Sequence, residues 1–219
     1  MPAKLSRLAW RATPAALAQK LSGGTWKRAP HLDLLSKWLA QAAFGERRRL
    51  VVSMPPRHGK SVLTSHWFPV WYLSLFPERR VISASYEADF AANWGRKVRN
   101  TVAQHSKTLG LAIAEDSAAA NRWETHLGGG MMTAGVGGPL TGKGAHLLLV
   151  DDPVKNAEEA ASQTLRDKVW NWWTSTAYTR LEPDGVAIVV MTRWNEDDLV
   201  GRLVRESEHG GEPWDVLCL

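Results

Sequence analysis

Cysteine is nearly absent: Cys218 stands alone among 219 residues. That excludes an internal disulfide and gives no support to a cysteine-based metal site. Long apolar runs are missing too, none approaching the ~20 residues that a membrane-spanning helix needs. The N-terminus lacks an apolar stretch followed by a small-residue cleavage site, so no secretory signal is expected and a cytoplasmic protein is the plain reading. Acidic residues are scarce at one end. Residues 1–60 carry twelve Lys and Arg against Asp33 and Glu46 alone, while the remainder carries more acid than base, for a net charge of +5. A basic arm beside a near-neutral body suits a polyanion such as nucleic acid, since neutralised phosphates release counterions. A solvated basic tail would read the same way from charge alone.

What is present is a chain long enough for one large domain, or one and a half, with a sizeable core. Twelve tryptophans are many for this length, and aromatics of that size mostly serve packing. Residues 1–22 read as a short basic, amphipathic helical region broken by Ser22-Gly23-Gly24. The spacing predicts helices over His31 to Ala43, Ser61 to Leu75, Ala88 to Gln104 and, as one long helix, Ala157 to Leu181. Apolar runs predict buried strands at Leu50 to Met54, Val81 to Tyr86, His146 to Val150 and Val186 to Met191. Another begins at Met131, and weak strands are expected near Ala112 and Trp123. Strands apolar throughout and separated by helices indicate a mainly parallel sheet covered on both faces, a three-layer α/β fold.

Three strand ends carry chemistry. Met54-Pro-Pro-Arg-His-Gly-Lys-Ser61 lies between a strand and a helix, and its Gly59-Lys60-Ser61 is the end of a phosphate-binding loop. Glycine lets backbone amides approach phosphate, lysine meets the β/γ-phosphates, and the hydroxyl holds Mg²⁺ at a helix N-terminus. The usual first glycine of this motif is lacking, Met54 standing in its place. Leu147-Leu-Leu-Val-Asp-Asp152 then delivers two carboxylates at a strand end. In an open α/β sheet that edge binds ligands. Asp151 is expected to serve the metal and Asp152 the attacking water, although Asp-Asp-Pro is also ordinary turn chemistry. Thr192, ending the 186–191 strand, is placed to contact the γ-phosphate or its water, with Arg193 beside it reaching phosphate or DNA or simply solvated. Together these sites define a P-loop NTPase of the ASCE type, with a strand inserted between the two motifs.

Met54 to Ser61 resembles the variant Walker A motif of phage terminase large subunits. Leu140-Thr-Gly-Lys-Gly-Ala-His146 running into Leu147 to Pro153 is similar to their approach to Walker B. Ser85-Tyr86 with Phe90-Ala91 and Arg96 resembles the strand and helix after their P-loop, and Met191-Thr192-Arg193-Trp194 their coupling motif. The likeness covers roughly residues 30–205, after a basic segment at 1–29. It implies a Mg-dependent ATPase in the host cytoplasm that moves double-stranded DNA into a capsid. The implied partners are a portal protein, the small terminase subunit and further copies in a ring, expected to be a pentamer. The nucleotide would be held by Pro56, Arg57, His58, Gly59, Lys60 and Ser61, with Ser61 and Asp151 on the metal and Asp152, Arg57 and Thr192 acting in catalysis. The resemblance makes Arg57 the residue that stabilises γ-phosphate charge, and Arg96 a weaker candidate for an arginine offered to a neighbour.

Two departures stand out. Many such motors use glutamate as the second acid, so either Asp152 or another acid such as Glu158 acts here. About twenty-five residues follow Trp194, too few for the family's ribonuclease-H-like nuclease domain, so nuclease activity is not expected. His58 reads as a packing or solvent-facing residue rather than a ligand. The glycines from 135 to 144, with Lys143 at the tip, suit a DNA-facing loop or a structural hairpin alike. Trp26 to His31 occupies the place of an adenine-contacting segment. The alternatives are a helicase-like motor, for whose second lobe there is no room, and a non-enzymatic DNA- or nucleotide-binding module with a decayed ATP site.

Overall fold

Parity along the strands builds the architecture of this computed structural model, which describes residues 8–140, 142 and 144–219. Successive side chains on a strand point to opposite faces. Here both sets are apolar: Leu50, Val52, Leu147, Leu149, Ile188 and Val190 join one buried cluster, while Val51, Leu148, Val150, Ala187 and Val189 join another. Helices must therefore cover both faces.

Among the described residues eight strands form one sheet in the order β3-β4-β5-β2-β6-β7-β1-β8. They are β1 (Arg49–Ser53), β2 (Arg80–Ser85), β3 (Ile113–Ala118), β4 (Arg122–Thr125), β5 (Gly130–Gly135), β6 (Ala145–Asp151), β7 (Leu181–Met191) and β8 (Asp215–Cys218). The pairings β5-β2-β6-β7-β1-β8 are parallel, and β3-β4-β5 is an antiparallel extension. As expected, a strand is inserted between the two motif-bearing ones: β7 lies between β1 and β6.

One face carries α1 (Pro14–Leu21), α2 (Pro30–Ala43), α3 (Phe68–Leu75), which continues a π-helical stretch at Val62–Trp67, and α4 (Ala88–Gln104). The short α5 (Ser106–Leu109) follows α4. The other face carries α6 (Ala157–Ala161), α7 (Gln163–Trp172) and α8 (Leu199–Glu208). Caps are written locally. Thr13 accepts from the Ala16 amide ahead of Pro14 at the first turn of α1, and Asp198 accepts from the Gly201 amide to start α8.

The structure departs from the sequence expectations in four places. The single long helix over 157–181 is instead α6 and α7 broken at Ser162, which leaves helical geometry and caps the Leu165 amide with its hydroxyl. After Trp172 the chain passes through a π-helical stretch, Trp173–Ala177, and a 3-10 turn, Tyr178–Arg180, so β7 starts at Leu181 rather than Val186. β8 was not anticipated, because it has four residues and only Leu217 is buried. Of the basic N-terminal region, residues 1–7 lie outside the described residues. The remainder packs into the core, with Leu17 and Ala18 fully buried and the Trp71 indole donating to the Arg11 carbonyl.

Candidate active site

Parallel register brings three strand ends level. Ser53 of β1 stands beside Met191 of β7, and Asp151 of β6 beside Val190. The segments that follow, Met54 to Ser61, Thr192 and Asp152, therefore meet at one sheet edge. That is where ligands bind in open α/β folds.

Met54 shows why this loop lacks its first glycine. Its amide donates to the Met191 carbonyl, extending the β1–β7 pairing by a residue, and its side chain is buried. The position is sheet rather than loop. The turn is made further on, where Arg57 (φ 64°) and Gly59 (φ 84°) take left-handed backbone. That conformation is costly for arginine and free for glycine. A Cβ on Gly59 would also lie 3.2 Å from Leu32 of α2. Pro56, Arg57 and His58 are exposed. His58 Nδ1 donates to the Pro56 carbonyl at 2.8 Å, and His31 Nε2, from the start of α2, donates to the His58 carbonyl at 3.1 Å. The Arg57 guanidinium makes no hydrogen bond or ion pair among the described residues.

Lys60 is buried and its Nζ lies 2.5 Å from Asp152 Oδ2. The other Asp152 oxygen, Oδ1, accepts from the Thr192 amide at 2.9 Å. Asp152 itself has φ 46°, its amide donating to the Val190 carbonyl and its own carbonyl accepting from the Tyr86 amide. The Thr192 hydroxyl donates to the Met54 carbonyl at 3.2 Å. One residue after β7 thus touches both the loop Met54 to Ser61 and Asp152. Asp151 is fully buried, and its Oδ2 accepts from Ser65 Oγ at 2.6 Å. Its Oδ1 is buried and has no hydrogen-bond partner among the described residues. Burial, then the charge of Asp152, push the Asp151 carboxyl up to about 6, against the pull of the Ser65 and Ser61 hydroxyls and Lys60.

The structure thus brings together Lys60, Asp151, Asp152 and Thr192, with Gly59 and Ser61 in the same loop and helix start. It does not bring every nominee. Arg193 is tied to Asp198, Nε to Oδ2 at 2.5 Å, and to the carbonyls of Asn195 and Glu196, so it braces the start of α8. Glu158 is exposed on α6, and no hydrogen bond or ion pair of Lys60, Asp151 or Asp152 among the described residues involves it. Arg96 is exposed on α4 and bonds Asn93. Lys143 lies outside the described residues. The glycine stretch before it packs down, the Trp172 indole donating to the Gly138 carbonyl. Ser65 was not singled out from sequence, although a hydroxyl four residues after Ser61 on the same helix was a readable signal.

A divalent cation suits the donors present. Asp151 offers an orphaned oxygen and Ser61 a hydroxyl, both hard ligands of the kind Mg²⁺ takes. Among the described residues no group of three His, Cys, Asp or Glu could hold a metal unaided, so such an ion would need oxygens from a bound phosphate or water. No helix among them is long and apolar enough to cross a membrane.

The family described as "Terminase large subunit, T4likevirus-type, N-terminal" matches residues 51–215. In fold the chain is similar to the large terminase ATPase domain of Thermus phage P74-26, at 16% identity and TM-score 0.57, covering 82% of this chain and 69% of that one. It is similar to the HK97 bacteriophage large terminase at 14% identity and TM-score 0.54, covering 88% of this chain and 39% of the other. The large terminase of another bacteriophage, a thermophilic one, gives 12% identity and TM-score 0.53, covering 89% and 45%. The chain therefore spans about two fifths of the length of the HK97 protein. No curated protein matches it in sequence.

Proposed function

We propose a function from one premise: the chain belongs to the terminase large subunit family, T4likevirus-type, N-terminal. It hydrolyses ATP to drive double-stranded DNA into a viral capsid, acting with a portal protein, the small terminase subunit and further copies in a pentameric ring. The observation that carries the reading is the meeting of Lys60, Asp152 and Thr192 at the loop Met54 to Ser61, above a buried Asp151.

Lys60 and the loop amides at the start of the helix hold the β- and γ-phosphates. Before nucleotide arrives, Lys60 is engaged by Asp152. Phosphate oxygens compete for that ammonium and draw it away. Asp152 is then left with one oxygen on the Thr192 amide and the other free to accept a proton from the attacking water. Mg²⁺, held by Ser61 and Asp151, supplies charge neutralisation on the phosphate oxygens when bound. The Arg57 guanidinium, which has no partner among the described residues, is free to offset charge developing on the transferred phosphoryl group. Thr192 links this chemistry to the rest of the molecule, since movement of Asp152 is felt along β7 and at Met54.

Steady-state ATP hydrolysis with Mg²⁺ tests the reading, run beside binding of a fluorescent ADP. Lys60→Ala and Asp152→Asn are each expected to lower turnover by more than about a hundredfold, with Asp152→Asn still binding nucleotide. Full activity in Lys60→Ala would overturn the site. Binding without turnover in the wild-type chain would favour a nucleotide-binding module instead.

A further inference from the structure

Ser65 makes an unusual choice of partner. A serine or threonine inside a helix commonly returns its hydroxyl to a carbonyl one turn back. Thr64 does so toward Lys60, and Ser74 toward Trp71. Ser65, on the π-helical stretch after the phosphate loop and fully buried, donates across to Asp151 Oδ2 at 2.6 Å. π-helical turns inside helices are rare and concentrate at functional sites.

Among the described residues, Asp151 has Oδ2 bonded to Ser65 and Oδ1 without a hydrogen-bond partner, while the Ser61 hydroxyl still pulls on the carboxylate. With Oδ2 committed to Ser65, the carboxylate cannot turn about its Cβ–Cγ bond without losing that bond. The oxygen held toward a ligand is therefore always Oδ1, which is buried and has no partner. We propose that Ser65 is a positioning residue for the metal: it locks the Asp151 carboxylate so that one oxygen faces the cation of a bound Mg–nucleotide. This rests on the ATP-site reading above and adds a residue to it. Ligands of metals are commonly oriented by such outer hydrogen bonds, whose loss costs roughly 10–100-fold in metal affinity.

The test is calorimetric binding of ADP to the intact chain, in EDTA and across a Mg²⁺ titration. Ser65→Ala is expected to bind ADP in EDTA within about twofold of wild type. The affinity that Mg²⁺ adds should fall about tenfold. In an Asp151→Asn background the same substitution should remove nothing further, because the oxygen it orients is already changed. Thermal melting checks that each variant is folded. Ser65→Cys, which keeps the volume but donates weakly, supplies the same reading if the alanine variant does not fold. An unchanged Mg²⁺ contribution overturns the proposal, as does an equal loss in EDTA or an undiminished effect in the Asp151→Asn background. Wild-type chain that binds no ADP under either condition overturns the ATP-site reading itself, a result distinguishable from all of these.

Discussion

His66 sits on the helix after the loop Met54 to Ser61 with its ring stacked on Trp67, centroids 4.4 Å apart, and Nε2 2.8 Å from the Thr101 hydroxyl on α4. Burial, aided by the charge of Lys97, lowers its pKa from 6.5 to about 4. The folded state thus resists the proton that the unfolded chain takes up, so stability is fully present above pH 6.5 and is lost as pH falls toward 4. Between pH 7.5 and 5 the wild type should lose about 2 kcal/mol more than His66→Gln, which keeps a hydrogen-bonding group for Thr101 but cannot charge. Urea unfolding of both proteins at the two pH values measures the difference, and parallel curves would count against it. Thr192 is the second case at this scale. Thr192→Val keeps the amide that holds Asp152 and removes the hydroxyl bond to Met54. Nucleotide affinity should hold while turnover falls on the order of tenfold, the kinetic equivalent of one hydrogen bond. Equal losses in both would mean that the hydroxyl merely supports the fold of the loop.

Elements meet closely where glycine permits it, and α4 against the antiparallel corner of the sheet is one instance. A Cβ on Gly95 would stand 2.7 Å from the Ala120 carbonyl oxygen and 2.8 Å from Thr133 Cγ2. The Gly95 carbonyl also accepts from the Trp123 indole. In an exposed helix, glycine to alanine gains about 1 kcal/mol. Here the overlap wins, and Gly95→Ala should destabilise by about 1–3 kcal/mol as α4 is pushed from β5. Chemical denaturation would show it, and a stabilised variant would mean that helix and sheet separate freely. The glycine's place inside a helix was visible in the sequence, but its neighbours were not. Ala120 and Thr133 arrive from 25 and more residues away.

Across the described molecule, the residues from Leu8 to the start of α2 behave as part of one face of the sheet rather than as a free arm. Leu17 is fully buried in the cluster that also holds Leu50, Trp71 and Ile188. Leu17→Ala should therefore cost about 2–5 kcal/mol and move the entire unfolding curve. Tryptophan fluorescence reports this directly, because Trp67 and Trp71 lie on one face of the sheet and Trp172 and Trp173 on the other. A separate early transition, with the main one unmoved, would show that this segment unfolds independently.

Much of this was legible in the residues themselves. Strands apolar at every position have no solvent face, so the two-sided parallel sheet followed from Leu147 to Val150 and Val186 to Met191. The meeting of the loop Met54 to Ser61 with Asp151 and Asp152 was readable too, from residue type and position at strand ends. Local signals failed where geometry came from elsewhere. Ser162 looked like a helix residue until it capped one, and β8 is too short and too polar to stand out unless β1 is there to pair with it. What only the tertiary structure decided is partnership. The register of β1, β7 and β6 sets Lys60 against Asp152, Thr192 between Asp152 and Met54, and Ser65 on Asp151. Periodicity along a chain specifies which face a side chain takes. Which group it meets there depends on strand order, and that is settled only when the sheet closes around its core.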